Sequence, residues 1–149
     1  MKIFCIIITM VFNNILCYSQ IINADICLAN IVRVDNDIQK KQVNRKNIDA
    51  FLDCFIEQTN NVEILELRND VLLKLMEHYP SDFMCSISKK NTEICKSVCQ
   101  DIERPIHDGI NLYKIYYQIS TIHSGSDVRL LILNSLQQAI ENSEKETIK

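Results

Sequence analysis

The densest apolar pattern in the chain runs from Ile64 to Tyr79. Two adjoining rows there follow helical spacing: Ile64, Leu67, Val71 and Leu75, and Leu65, Leu72, Met76 and Tyr79. A stripe that wide has to be covered on more than one side, which predicts a central helix with the other helices packed around it. Pro80 stops it. Two readings fit the segment, one continuous helix from about Val62 to Tyr79 or a break in which Asn69 caps a second helix beginning at Asp70, and the break is preferred.

Shorter patterns flank this segment. Residues 20–34 carry apolar residues that fit no single period and are assigned to a helix. Ile48, Phe51, Leu52, Phe55 and Ile56 predict an amphipathic helix capped by Asn47 and ended by Thr59-Asn60-Asn61. Phe83, Met84 and Ile87 mark a short helix capped by Ser81 or Asp82. After the Lys89-Lys90-Asn91 turn, Thr92 opens a helix with Ile94, Cys95, Val98, Cys99 and Ile102 on one face, closed by Arg104-Pro105. Leu112, Ile115, Tyr116, Ile119 and Ile122 predict a helix that begins between Pro105 and Asp108 and ends at His123-Ser124-Gly125. Ser124 or Ser126 can cap the last helix, whose inward row is Val128, Ile132, Leu136 and Ala139 or Ile140. No helix-pair period recurs as it would in a repeat protein. The expected fold is all-α, a compact irregular bundle of five to six short helices after an N-terminal signal peptide, with 142–149 polar and frayed.

Composition narrows this further. The 149 residues are one domain's worth, and the apolar fraction of 47% is ordinary for a globular protein. Gly109 and Gly125 are the only glycines, which leaves no glycine-rich loop for a phosphate and favours helices over hairpins. A net charge of −3 gives no general attraction to nucleic acid or anionic lipid. Lys40, Lys41, Arg45 and Lys46 are read as a solvated linker. Asp35-Asn36-Asp37 lacks the glycine and later oxygen ligands of a calcium loop and is read as a turn or cap.

Lys2 and the apolar run Ile3–Phe12 form a short positive region and a core too brief to span a bilayer comfortably. Cys17 and Ser19 supply the −3 and −1 positions of a cleavage site between Ser19 and Gln20, with Ala24 the second choice. Leu16 before Cys17 does not fit a lipoprotein site. The domain plan is therefore a signal peptide at 1–19 and a single helical domain at 20–149, secreted or periplasmic, with no stable membrane insertion once the signal is removed.

Cys27, Cys54, Cys85, Cys95 and Cys99 then remain, and in an oxidising compartment their expected role is disulfide formation, with connectivity open. Cys95 and Cys99, one turn apart on an inward face, are the expected participants. Their C-x3-C spacing resembles the pair in insect odorant-binding proteins, small secreted helical carriers; the three further cysteines of that family have no counterpart here, and no functional residue is carried across. Zinc on Cys95 and Cys99 with His78 or His107 lacks the usual second close-spaced pair. No metal or cofactor is assigned. His78, His107 and His123 sit at helix ends, where capping or solvation explains them better than partnership with a cysteine nucleophile, and no hydrolase, metalloprotease or carboxylate motif is present. No catalytic residue is assigned.

Tyr113 and Tyr117 align with Ile110 on a face beside Tyr116, read first as a second buried face and, if left uncovered, as the candidate interaction surface. The resulting expectation is a non-enzymatic protein-interaction domain of the envelope, inhibitor or immunity type, with another protein as partner and no nucleic acid. The alternatives are a carrier holding a small apolar ligand between helices, and an enzyme with an unrecognised site. A closed apolar cavity would favour the carrier; a filled core with Tyr113 and Tyr117 exposed would favour the binder. N-terminal sequencing of the exported protein is expected to begin at Gln20, and a chain that still begins at Met1 contradicts the cleavage.

Overall fold

The computed structural model describes residues 24–56, 61–106, 109–123 and 126–147, and every regular element among them is helical. The helices are α1 (24–39), α2 (Arg45–Asp53), α3 (Val62–His78), α4 (Pro80–Ile87), α5 (Thr92–Ile102), α6 (Leu112–Ser120) and α7 (Ser126–Thr147). The expected all-α fold is thus observed, with more helices than the five to six expected. The signal peptide and its cleavage site, Thr59-Asn60, His107 and Ser124-Gly125 lie outside the described residues.

Helix α3 occupies the centre. Val71, Leu72, Leu73, Leu75 and Met76 have no exposed surface, and α4, α5 and α6 all pack against this helix. The broken-helix expectation is overturned: α3 runs unbroken from Val62 to His78, and Asn69 sits 2% exposed in its interior. Asn69 makes its hydrogen bonds to another part of the chain, so its side chain does not compete with the helix's own backbone. Pro80 does end α3 and serves as the first residue of α4, where its missing N–H costs nothing. Around this axis α7 packs along α5 and α6, and α2 packs against α4. Phe51 and Phe55 meet edge to face, with centroids 5.4 Å apart.

Asparagine does the punctuation in this glycine-poor chain. Asn44, Asn61, Asn91 and Asn111 each precede a helix and accept a first-turn backbone N–H on the side-chain oxygen. These caps correct several expected starts. Asn47 lies inside the first turn of α2 and donates to Asp37 at 2.7 Å. Thr92 is the first helical residue after the Asn91 cap. Helix α6 begins at Leu112, well beyond Pro105–Asp108. Helix α4 has no side-chain cap, and Asp82 instead meets Arg45 at 2.7 Å on the surface, where Arg45 remains solvated at the start of α2.

Asp35 and Asp37 lie within α1, not in a turn, and face separate partners: Asp35 accepts from Gln39 at 2.6 Å, and Asp37 accepts from Asn47. Helix α7 continues to Thr147 where fraying was expected from Asn142. Tyr113 of α6 hydrogen-bonds Glu144, and Lys145 lies in the last turn, where a cation meets the carbonyl end of the helix favourably.

Helix α1 ends in a Schellman turn. Gln42 N–H donates to Asp37 O at 2.9 Å, and Lys41 N–H donates to Ile38 O at 3.0 Å. The turn requires a left-handed residue, and Lys41 takes that position with φ 55°. A lysine there bears a steric cost that glycine avoids. Lys41→Gly is therefore expected to stabilise the fold by about 1 kcal/mol, measured by urea unfolding; a loss of stability would show that the left-handed turn is not what limits this position.

Candidate interaction surface

The site is built from the junction between α3 and the end of α5. Arg68 of α3 is 6% exposed and makes two parallel bonds to the Asp101 carboxylate, Nε to Oδ2 at 2.9 Å and Nη2 to Oδ1 at 3.1 Å. Its guanidinium also lies 4.4 Å from the centroid of Phe55. Burial pushes the Asp101 carboxyl above the usual carboxylate value, and the facing Arg68 charge pulls it back.

The next residue, Asn69, directs the connection that follows α5. Its amide donates to Asp101 O at 2.6 Å and lies 3.5 Å from Arg104 O, while its oxygen accepts the N–H of Ile106 at 3.2 Å. Ser135 of α7 donates to Glu103 at 3.0 Å and holds the same connection from the other side.

Between this connection, the start of α6 and the C-terminal half of α7 lies an open groove of about 1030 Å³. Arg104 and Ile106 form one wall, Tyr113 and Leu112 another, and Asn142 and Lys145 the third. The lining mixes polar and apolar groups. Tyr113 rises from the groove edge, 61% exposed, with its phenol bonded to Glu144, whose carboxylate pushes the phenol pKa up. Tyr117, one turn further along α6, is 71% exposed. The opposite face of the same helix places Leu112, Ile115 and Ile119 in the core, and Tyr116 is half-buried against it. Leu130 and Leu131 of α7 are also exposed, close in sequence to Arg129, which clasps the Ser120 and Ile122 carbonyls at the end of α6.

The cysteines lie elsewhere, and all five described ones are free thiols. Cys95 points to the Ile87 and Lys90 carbonyls at 3.7 and 3.9 Å, and burial pushes the half-buried Cys99 thiol up while the neighbouring Ser135 pulls it back. Cys85, half-buried on α4, lies near Arg45. Cys27 lies on α1 and Cys54 directly follows α2, where burial first and the Cys27 thiol second push the Cys54 pKa up. His78 approaches Glu77 at 3.9 Å. Among the described residues no three His, Cys, Asp or Glu side chains gather as a metal site, and no helix is long and apolar enough to cross a membrane.

The sequence pattern did not mark Arg68, Asp101 or Ser135, and it marked Asn69 only as a helix cap. A signal existed for two of them, because Arg68 interrupts the row Ile64, Val71, Leu75 and Asn69 interrupts the row Leu65, Leu72, Met76. A polar residue on a face that must be buried has to bring its hydrogen-bond partner with it.

Comparison with protein-family models, with curated proteins and with solved structures returned no match.

Removing the Asn69 side chain should free the groove wall. Asn69→Ala is expected to cost about 1–3 kcal/mol through the unpaired buried groups left behind, and to speed hydrogen exchange at the Ile106 amide relative to amides of α7. Unchanged protection at Ile106 would show that the connection holds its path without Asn69.

Proposed function

We propose that this protein is an exported helical domain that works by binding another protein, without catalysis, through the face of α6 that carries Tyr113 and Tyr117. The observation that supports this reading most is the pair of tyrosines left 61% and 71% exposed on a helix whose other face is sunk in the core. Tyrosine brings a large, rigid contact area and a polar tip, and it is enriched where proteins meet. Both side chains project from a helix anchored along α7, so the surface is held ready and loses little freedom on association.

The carrier reading finds less support. The interior is filled by side chains such as Phe51, Phe83, Leu72 and Met84, all with no exposed surface, and the groove beside Tyr113 is open and partly polar. A carrier withdraws an apolar ligand from water, which calls for an enclosed apolar cavity. Export and removal of the segment before Gln20 belong to the same proposal and place the encounter outside the cytoplasm.

The test is quantitative affinity capture from the source cell envelope and medium, with wild type beside a Tyr113→Ala/Tyr117→Ala variant. The proposal expects a specific protein whose recovery falls at least about tenfold in the variant, equivalent to about 1.4 kcal/mol of binding, while the melting temperature stays close to wild type. Equal recovery with both chains would remove this face from the function. A small apolar molecule released from the purified wild type would instead favour the carrier.

A further inference from the structure

Cys27 and Cys54 come from different helices, at the place where α1 faces the end of α2. Cys27 lies on α1 and is half-buried, and Cys54 directly follows α2 and is 3% exposed. Asn30, the next residue on the same face of α1 one turn after Cys27, lies 3.5 Å from Ala50 O and 3.9 Å from Cys54 Sγ. The Cys54 thiol donates to the same Ala50 carbonyl at 3.5 Å, and the neighbouring Cys27 thiol adds to the rise that burial gives its pKa. Nearby, Ile31 and Val34 on α1 and Phe51 and Leu52 on α2 have no exposed surface, so the two helices are already fixed against the same core.

We infer that Cys27 and Cys54 are a disulfide-forming pair, closed by exchange with a small-molecule disulfide, that fastens α1 to the end of α2. The remaining thiols have other partners. Cys95 and Cys99 share one helix a turn apart, with Cys95 aimed at the carbonyls that follow α4 and Cys99 beside Ser135. The proposal thus differs from the expectation that named Cys95 and Cys99 as the participants.

The chemistry runs in two exchanges. Cys27, the more accessible thiol, loses its proton to solvent and attacks one sulfur of the external disulfide; that S–S bond breaks, a mixed disulfide forms on Cys27, and one thiolate leaves and takes up a proton. Cys54 then loses its proton and attacks the Cys27 sulfur, which forms the Cys27–Cys54 bond and expels the second thiolate. The pair gives up two electrons, and the external disulfide is reduced to two thiols. Burial pushes the Cys54 thiol up to about 12, which leaves little thiolate; its attack comes in the second, intramolecular step, where proximity offsets that small fraction. The closed loop spans roughly 25 residues, and its closure restricts the unfolded chain.

The test uses the full chain, incubated with oxidised glutathione, alkylated, and cleaved before aspartate. Asp25 separates Cys27 from Cys17, so the expected product is residues 25–34 joined to residues 53–69. The oxidised wild type should melt at a higher temperature than the reduced form, and Cys27→Ser should show neither the joined peptide nor the shift. Alkylation of both thiols in the oxidised sample, or bonds from either one to another cysteine, would overturn the pairing. A joined peptide with no rise in melting temperature would overturn the fastening role. If Cys27→Ser fails to fold, the peptide map of the wild type decides the pairing alone.

Discussion

The rest of the structure depends on the buried charge pair of Arg68 and Asp101. A guanidinium that is 6% exposed in the middle of the central helix is tolerable only because its charge is met at once by a carboxylate with two parallel bonds. That requirement fixes where the last turn of α5 must lie. The neighbouring Asn69 extends the constraint to the chain after α5, since it binds the Asp101 carbonyl and the Ile106 amide together. Replacing either charge alone would leave the other buried without a partner, which is why such pairs constrain geometry more strongly than they add net stability. Here the constraint runs from the core to the surface: α3 holds the end of α5, the connection after α5 forms one wall of the groove, and the groove borders Tyr113.

A second constraint is the scarcity of glycine. The seven helices among the described residues need six connections, and the chain has two glycines with which to make them. Asparagine side chains supply the missing hydrogen bonds at four helix starts, and Lys41 accepts the left-handed conformation that glycine would take at the end of α1. The two solutions differ in cost. An asparagine cap satisfies backbone groups that water would otherwise serve, whereas Lys41 retains steric strain at its Cβ.

The tyrosine face and the thiol pair lie on different elements. Tyr113 and Tyr117 are on α6 beside α7; Cys27 is on α1 and Cys54 directly follows α2. Fastening α1 therefore alters the stability of the scaffold without remodelling the tyrosine face directly. This separation lets the cross-link and the proposed contact surface be tested independently.

What the sequence by itself determined was the set of helices and most of their inward faces. The rows through Leu72 and Met76, through Ile94 and Val98, and through Ile132 and Leu136 are buried as their spacing requires, because helical period and the removal of apolar surface from water act locally and can be read residue by residue. The exposed face of Tyr113 and Tyr117 was legible as an alternative to a second buried face, and only the packing of α6 decided between them. The tertiary structure alone decided that Asn69 is an interior anchor and not a cap, that Arg68 is paired with Asp101, that the helix of α7 continues past Asn142, and that Cys27 neighbours Cys54. Each of these depends on a partner far away in the chain. A polar or thiol side chain shows in sequence that it needs a partner, but which group fills that need is set by where the helices cross.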